Sequence, residues 1–293
     1  MRGSCHNVPG VTFKGAVRRL VPRQARNWLR SPRRSLRWLS DEVSHALGRH
    51  SELALFPGWS LRCHPAAART AFTPLIADPE QRREMEAFIA ECRPGMKLLD
   101  VGAHFGLFSL AALHYGGPEA AAVAVDPSAG ATRMIRINAT LNGFGRRLTV
   151  VTAAAAEQSG TLGLVPVGVI AAGYFVRPDS REAPSETVAV PAFSIDDLCA
   201  QLPFSPTHIK IDVEGYEAEV LNGASRTLAL RPAPVLFIEL HNGMVRARGA
   251  SPQHTLDLLQ AKGYVRLERE RHPIAADRVL ADDVVRLIAR AAA

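Results

Sequence analysis

Short apolar runs alternate with amphipathic stretches between about residues 78 and 268. Apolar residues recur at helical spacing in one set of segments, which predicts helices. These segments are residues 79–92, 107–115, 129–142, 216–222 and 252–262. Continuous apolar runs, typical of strands buried on both faces, make up the other set. They are residues 97–101, 121–125, 148–152, 208–213, 235–240 and 264–267. The alternation predicts an α/β fold, with helices on both faces of a mostly parallel sheet.

The segment 158–206 does not follow this pattern, because proline and glycine divide it into short pieces. We expect it to be an insertion that covers the substrate. Tyr174 is the predicted substrate contact in this insertion, together with Phe175 and Phe193.

Charge is distributed unevenly along the chain, which has 293 residues and a formal net charge of +7. The first 50 residues hold ten arginines and one lysine against two acids, a charge of +9, and the other 24 basic and 26 acidic residues give −2. The sequence therefore predicts a basic arm at residues 1–50 and one domain at residues 51–293. An arm of this kind suits a weak contact with a membrane surface or a docking partner.

Other compositional features exclude several classes of protein. No apolar run reaches the ~18 residues of a membrane-spanning helix, and the N-terminus lacks the apolar core of a signal peptide. The four cysteines are scattered without metal-ligand spacing, so no metal site is predicted and reduced thiols in the cytoplasm are expected. The Arg-rich, acid-poor N-terminus also resembles a mitochondrial presequence, the alternative to a cytoplasmic location.

The turn after the first buried strand carries the sequence DVGAHFG, from Asp100 to Gly106. Gly102 lets the backbone approach a ligand closely, and the helix that Gly106 opens favours polar or anionic groups at its N-terminus. A dinucleotide fingerprint fails here because His104 stands at its second glycine. The turn instead suits a nucleoside without a diphosphate, and Asp126, at the end of the next strand, is placed to accept hydrogen bonds from ribose hydroxyls.

A second polar cluster follows the strand at residues 208–213. Alternation along a strand places Lys210, Asp212 and Glu214 on one face. Asp212 is expected to hold the substrate or the cofactor, Glu214 to contact the substrate, and Lys210 to offset carboxylate charge. A capping turn before the following helix is the alternative interpretation of these acids.

Glu239 and His241 end the next buried strand, beside the strand of Asp212. His241 is a candidate general base because imidazole titrates near neutrality. Glu239 is a candidate substrate contact. The alternative for His241 is a simple pairing with a neighbouring backbone group or acid.

Five stretches in this order resemble the FkbM-type family of S-adenosylmethionine-dependent methyltransferases. They are LLDVGAHFGLFSL, VAVDPSAGATRMIRINATLNG, VPAFSIDDL, HIKIDVEGYEAEVLNGA and VLFIELHN, and the resemblance covers about residues 78–268. It implies a seven-stranded class I methyltransferase fold and methyl transfer, usually to an oxygen of a small molecule or a sugar. The cofactor-binding residues that it implies are Asp100, Gly102, His104, Gly106, Asp126 and Asp212. His104 replaces the usual asparagine of the family, and Asp126 stands where glutamate is commoner.

The implied chemistry needs a positioned acceptor and a group that takes its proton, since the methyl group of the cofactor is already activated. The proton acceptor is expected to be His241, or Asp212 together with Lys210. Asn138 and Asn142 match family asparagines, for which a structural role is expected.

Three other functions compete with this interpretation. The basic arm suggests a nucleic-acid methyltransferase, although an acidic cleft rim would repel phosphate. A non-catalytic cofactor-binding protein is the second alternative. A nicotinamide-dependent dehydrogenase is the third, and His104 in the glycine turn opposes it.

Overall fold

The computed structural model describes residues 32–167, 172–176 and 187–292. The chain first forms helix α1 (Pro32–Ala46), strands β1 (Ser51–Phe56) and β2 (Trp59–Cys63), helix α2 (Pro65–Ala67), a π-helical turn (Ala68–Phe72) and helix α3 (Thr73–Ala77). It continues through α4 (Pro79–Glu91), β3 (Lys97–Val101), α5 (Leu107–Tyr115), β4 (Ala121–Asp126), α6 (Ala129–Leu141) and β5 (Leu148–Thr152).

In its described part, the chain then forms four consecutive strands before helices return. Residues 154–201 form β6 (Ala154–Ala155), β7 (Gly160–Val167), β8 (Ala172–Val176), β9 (Val188–Phe193) and α7 (Ile195–Gln201). Then come β10 (His208–Ile211), α8 (Glu217–Asn222), α9 (Ser225–Leu228), β11 (Val235–Leu240), α10 (Asn242–Ala247) and α11 (Pro252–Ala261). The last elements are β12 (Tyr264–Arg269), β13 (His272–Pro273), α12 (Ala276–Ala281) and β14 (Val285–Ala291).

The main sheet has the spatial order β13-β12-β14-β11-β10-β3-β4-β5. Strands β11, β10, β3, β4 and β5 are parallel neighbours, whereas β14 runs antiparallel between β11 and β12. The predicted seven-stranded, mostly parallel sheet is therefore confirmed, and the two-residue strand β13 extends it at one edge. Strand order reverses between β3 and β10, which is where ligands bind in open α/β sheets.

Alternation along the central strands fills a separate core on each face of the sheet. Leu98 and Ala122 point to the face covered by α4, α5 and α6. Their neighbours Leu99 and Val123 point to the face covered by α8 and α11. Because both faces are covered, the strands consist of continuous apolar runs, and this explains why they were recognisable in the sequence.

The segment from residue 154 to residue 193 forms a second sheet with the order β6-β9-β7-β8. The sequence indicated only short pieces here, so β7 and β8 were missed. Pro191 and Pro166 lie within β9 and β7, where the pattern indicated breaks. The sequence also missed the hairpin of β1 and β2, the helical residues 65–77 and strand β14.

Helix α1 packs against the domain, although it lies within the basic arm defined from charge. Glu42 accepts two hydrogen bonds from the guanidinium of Arg133, both of 2.8 Å, and Asp41 pairs with Arg69. Trp38 stacks on the buried ring of His64, with 5.9 Å between the ring centroids. Within the described part of the chain, no helix is long and apolar enough to cross a lipid bilayer.

Candidate active site

A cleft of about 800 Å³ opens at the carboxyl ends of β3, β10 and β11, at the point where strand order reverses. Its walls come from the helical residues 71–84, the β3–α5 turn, the ends of β10 and β11, and β14. The polar side chains that line it are Gln81, Glu84, Asp100, His104, Lys210, Asp212, Glu214, Glu239, His241 and Arg286. Six of the predicted site residues thus meet in one cleft with Asp100 and Gly102.

Asp100 ties the end of β3 to the first turn of α5. Its Oδ2 accepts hydrogen bonds from the backbone N (3.0 Å) and the Oγ (2.6 Å) of Ser109. Burial raises the pKa of Asp100 to about 6, although the two hydrogen bonds from Ser109 act in the opposite direction. Asp100 therefore fixes the orientation of α5, whose N-terminus faces the cleft.

Gly102 and Gly106 shape the turn between β3 and α5. Gly102 has a φ of +79°, and a Cβ at this position would overlap the backbone carbonyl of Asp212. Gly106 has a φ of +83°, and a Cβ there would press on the side chain of Ile135. The sequence attributed Gly102 to close approach of a ligand, whereas its missing Cβ makes room for the end of β10. Gly102 also lines the cleft.

Asp126 holds the turn that carries His104, and His104 lines the cleft. One carboxylate oxygen accepts a 2.8 Å hydrogen bond from the backbone N of His104, and the other accepts a 2.8 Å bond from the N of Ser128. His104 has a φ of +48°, and its ring stacks on Phe105 with centroids 4.0 Å apart. Burial raises the pKa of Asp126 to about 7, against the effect of these two amides.

Lys210 is fully buried and surrounded by carboxylates. Its Nζ lies 3.0 Å from Glu84 Oε1, 3.7 Å from Glu239 Oε2 and 3.8 Å from Asp212 Oδ2, and 4.9 Å from the ring centroid of Phe108. Burial alone would lower the pKa of Lys210, but the three carboxylates raise it above its ordinary value. Lys210 therefore stays an ammonium, which offsets carboxylate charge and has no free electron pair for a proton.

Glu84 and Arg286 complete this network, and neither was predicted from the sequence. The guanidinium of Arg286 lies 2.8 Å from Glu239 Oε1 and 3.1 Å from Glu84 Oε2. Glu84 lies four residues before the buried Phe88 on α4 and therefore on the apolar face of this helix. A carboxylate on an apolar face is the sequence signal that could have identified Glu84 as a site residue. Arg286 had no such signal, because β14 reaches the cleft from the far end of the chain.

His241 and Glu217 form a buried hydrogen-bonded pair. His241 Nδ1 lies 2.8 Å from Glu217 Oε1, which also accepts a 2.9 Å bond from the backbone N of Gly215. The sequence assigned no separate role to Glu217, which lies in the stretch HIKIDVEGYEAEVLNGA that carries the family resemblance. In the structure it fixes the orientation of the imidazole and leaves Nε2 directed into the cleft.

His241 Nε2 faces three further carboxylates. It lies 3.5 Å from Glu214 Oε2, 3.8 Å from Asp212 Oδ1 and 3.9 Å from Glu239 Oε1. Burial would lower the pKa of His241, but the hydrogen bond to Glu217 and the surrounding negative charges raise it to about 9. The ligand atoms of Asp212, Glu214 and His241 lie within 4.8 Å of one another, so they could hold a metal ion.

Glu214 reaches the cleft in a different way from the one predicted. Strand β10 ends at Ile211, so strand alternation does not extend to residue 214. Glu214 has a φ of +54° and Gly215 a φ of +90°. This left-handed turn brings the carboxylate of Glu214 next to His241.

The predicted cover of the cleft is only partly described. Tyr174 lies on β8, opposite Val165, and its side chain is outside the described residues. Phe193 packs against the core formed by β10, β11 and α8. The residues that line the cleft come from outside 158–206, so the substrate cover stays a prediction.

The fold and the cleft define a class I methyltransferase-like protein with a Rossmann-like sheet. A model of the methyltransferase FkbM domain matches residues 100–266, which is more than half of the chain, so this chain belongs to the FkbM family of methyltransferases. The family and the fold predicted from the sequence are confirmed. No curated protein is significantly similar to the chain.

Several solved methyltransferase structures are similar to the chain at low sequence identity. The methyltransferase FkbM from Methylobacillus flagellatus is 17% identical, with a TM-score of 0.42 over 73% of this chain and 51% of that one. An S-adenosylmethionine-dependent O-methyltransferase from Thermotoga maritima is 13% identical, with a TM-score of 0.42 over 73% and 66%. The precorrin-6y C5,15-methyltransferase from Geobacter metallireducens is 14% identical, with a TM-score of 0.40 over 73% and 90%. The chain thus spans about half the length of the Methylobacillus protein.

S-adenosylmethionine is the cofactor that family membership assigns, as predicted. The cleft fits it in two respects. It lies at the carboxyl ends of the parallel strands where strand order reverses, which is where ligands bind in open α/β sheets. Its surplus of carboxylates suits a ligand with a sulfonium and an ammonium group, since both are cations.

Proposed function

We propose that this chain transfers the methyl group of S-adenosylmethionine to a hydroxyl oxygen of a small molecule or a sugar. One observation carries the proposal. Asp212 Oδ1 and His241 Nε2, 3.8 Å apart, are directed into the same part of the cleft. Each is held from behind, Asp212 by the ammonium of Lys210 and His241 by the carboxylate of Glu217.

The cofactor side of the cleft is assigned to the β3–α5 turn and the ends of its neighbouring strands. Asp100, Gly102 and Asp212 would lie along the methionine and ribose part of the cofactor. Asp126 would accept hydrogen bonds from the ribose, for which each carboxylate oxygen keeps one acceptor site beyond the amide that it binds. His104 and Gly106 would border the same region.

The bound cofactor supplies an electrophilic methyl group, so the chain has to position and deprotonate the acceptor. The acceptor hydroxyl would bind against Asp212 Oδ1 and His241 Nε2. Near neutral pH its proton would go to the carboxylate of Asp212, because His241, with a pKa of about 9, is then mostly protonated; His241 would accept it only above that pH. Proton removal of this kind contributes typically 10²–10⁴-fold to the rate. Lys210 keeps Asp212 in place, and Glu239 and Glu214 would contact the other polar groups of the acceptor.

The carboxylates of the cleft also bear on the nucleic-acid alternative. Among the described residues, five carboxylates line the cleft (Glu84, Asp100, Asp212, Glu214 and Glu239) together with two permanent cations, Lys210 and Arg286. This negative field repels a phosphate backbone. A neutral hydroxylated acceptor meets no such repulsion, which favours a small molecule or a sugar.

The test measures S-adenosylhomocysteine formation with a panel of hydroxylated acceptors. His241→Asn and Asp212→Asn are each expected to lower turnover by about 10²-fold or more, because deprotonation of the acceptor is lost. His254→Asn, at an exposed position of α11, is the matched control and should retain full turnover. Full turnover in both cleft variants would contradict the proposal, as would methylation restricted to amine acceptors.

A further inference from the structure

The space in front of His241 Nε2 is too wide for hydrogen bonds and has the dimensions of a coordination sphere. Nε2 lies 3.5 Å from Glu214 Oε2 and 3.8 Å from Asp212 Oδ1. Hydrogen bonds between nitrogen and oxygen are usually about 2.9 Å long. The edge of a tetrahedron with metal–ligand bonds of about 2.1 Å is about 3.4 Å, close to both distances.

His241 is also held as a metal-binding histidine is. Its other ring nitrogen is bonded to Glu217, and a carboxylate in that position fixes the tautomer and the ring orientation of ligating histidines. The side chain is only 8% exposed, and among the described residues Nε2 has no partner at hydrogen-bond distance. The imidazole Nε2 therefore points toward the carboxylates of Glu214 and Asp212, with Glu239 Oε1 next at 3.9 Å.

We propose that Asp212, Glu214 and His241 bind one divalent first-row transition-metal ion. One imidazole nitrogen with two carboxylate oxygens suits Mn²⁺, Fe²⁺ or Zn²⁺ better than an ion that prefers only oxygen. No metal site is predicted from the sequence, because the three ligands come from two separate places, the β10–α8 turn and the end of β11.

The ion would act on the acceptor of the proposed reaction, and to that extent the inference rests on the proposed function. Three protein ligands leave coordination positions open for water or for a hydroxyl. A hydroxyl bound to a divalent ion releases its proton to water at lower pH. His241 would then hold the ion instead of accepting the proton itself.

Direct ion binding tests this inference without reference to activity. The full chain is freed of metal with a chelator, desalted and titrated with Mn²⁺, and free Mn²⁺ is measured by electron paramagnetic resonance. We expect one ion per chain and affinity at least ~10-fold weaker in Glu214→Gln and His241→Asn. Pulsed measurements on bound Mn²⁺ should show ¹⁴N coupling from the imidazole, which disappears in His241→Asn.

Glu119→Gln is the matched control, since Glu119 is exposed in the turn before β4, at the opposite edge of the sheet. Its Mn²⁺ affinity should equal that of the unchanged chain, and thermal unfolding verifies that each variant folds. Equal affinity in Glu214→Gln, or no saturable binding to the unchanged chain, would overturn the cation site. A chain that binds Mn²⁺ through Glu214 and produces no S-adenosylhomocysteine would overturn the proposed function and leave the cation site standing.

A separate observation concerns helix α1, which presents apolar side chains to solvent. Leu36, Leu39 and Val43 on α1, and Leu47 directly after its last residue, are 66%, 45%, 51% and 69% exposed. Their spacing of three and four residues places them along one side of the helix. The opposite side holds the helix on the domain through Trp38, Asp41 and Glu42.

Charge in the preceding residues identifies what this stripe contacts. Residues 1–31 contain six arginines and one lysine and no acidic residue. We infer that α1 lies on an anionic membrane surface with its aliphatic stripe at the lipid boundary, because basic charge in this part of the sequence is attracted to anionic headgroups. A nucleic acid would use the basic charge but would have no role for four exposed aliphatic side chains.

Vesicle sedimentation tests this surface with the full chain. We expect binding to vesicles of 70% phosphatidylcholine and 30% phosphatidylglycerol and much weaker binding to pure phosphatidylcholine. The double variant Leu39→Ser/Val43→Ser should bind the anionic vesicles at least ~10-fold more weakly. Val265→Ser, which alters a 55% exposed aliphatic residue on β12, should bind normally. Equal binding by the double variant, or tighter binding to RNA than to the vesicles, would overturn the inference.

Discussion

Gly102 shows at the scale of a single residue how the end of β3 depends on the absence of a side chain. Its positive φ is one constraint, and the carbonyl of Asp212 next to its Cα is a second. The first constraint is local and the second comes from the neighbouring strand. Substitution can separate these two constraints, because other glycines in the chain have a positive φ but no close neighbour.

Gly102→Ala is predicted to lower the free energy of unfolding by more than about 2 kcal/mol, as added atoms in a tightly packed position force the backbone to shift. Gly143→Ala supplies the control, since Gly143 has a φ of +72° and open space around it. It should cost only the ~1 kcal/mol of a left-handed alanine. Urea unfolding measures both, and equal losses would show that the contact with Asp212 is unimportant.

The buried carboxyl of Asp126 makes the free energy of unfolding depend on pH, and the direction of this dependence follows from its pKa. Burial raises its pKa from 3.8 to about 7, so the folded chain binds one more proton than the unfolded chain between these values. The contribution of Asp126 to stability is therefore present at low pH and is lost as pH rises through 7. Other buried acids of the cleft also make stability depend on pH. The contribution of Asp126 is therefore measured by comparison with a variant that lacks its carboxyl.

We predict that Asp126→Asn gains stability relative to the unchanged chain as pH rises from 4.5 to 7.5. The change should exceed about 1 kcal/mol, since one pKa unit corresponds to about 1.4 kcal/mol. Urea unfolding at several pH values measures it, with the exposed Asp257→Asn as the control that should show no such trend. A constant difference across this range would contradict the prediction.

At the scale of elements, α6 is joined to its neighbours by two asparagines one turn apart. Asn138 accepts a 3.0 Å hydrogen bond from the N of His64 and donates a 3.3 Å bond to the carbonyl of Phe105. Asn142 accepts a 3.1 Å bond from the N of Arg62 and donates a 2.6 Å bond to its carbonyl. These bonds attach the end of β2 to α6 and to the turn that carries His104, as expected for structural residues.

Asn138→Ala is predicted to lower the free energy of unfolding by about 2–4 kcal/mol, because a buried amide and a buried carbonyl lose their partner. Asn142→Ala, at a half-buried position where water can replace the lost bonds, should cost about 1 kcal/mol or less. Urea unfolding ranks the two variants. An equal or reversed order would show that the bonds of Asn138 do not determine the position of α6.

At the scale of the whole molecule, the basic arm and the catalytic body overlap in helix α1. The sequence placed a boundary at residue 50 from charge alone. Ion pairs of Asp41 and Glu42 with the domain lie before that boundary. Charge therefore places α1 in the basic arm, whereas its ion pairs attach it to the domain.

Two truncations distinguish these parts. Removal of residues 1–31 is predicted to leave the melting temperature and cofactor affinity unchanged and to abolish binding to anionic vesicles. Removal of residues 1–47 should in addition lower the melting temperature by a few degrees, because about 1 kcal/mol corresponds to 2–4 °C at this size. Scanning calorimetry measures both, and identical melting temperatures would show that α1 contributes nothing to stability.

The hydrophobic pattern predicts six of the eight strands of the main sheet and five of the helices that cover it, and the motifs predict the family. Strands buried on both faces are continuous apolar runs, and the residues at their ends follow directly from where those runs stop. For this reason Asp100, Lys210, Asp212, Glu239 and His241 were found before the structure, and the structure brings them into one cleft.

How these side chains pair with one another depends on tertiary contacts between elements that lie far apart in the chain. Glu84 and Arg286 come from a helix and an antiparallel strand far apart in the chain, and Glu217 meets His241 across two elements. Glu214 depends on a left-handed turn that no periodicity describes. Such contacts depend on distances between elements, which hydrophobic spacing along one element does not contain. The protonation of Lys210 and the orientation of His241 follow from how these elements pack, as do the distances from His241 Nε2 to Glu214 and Asp212.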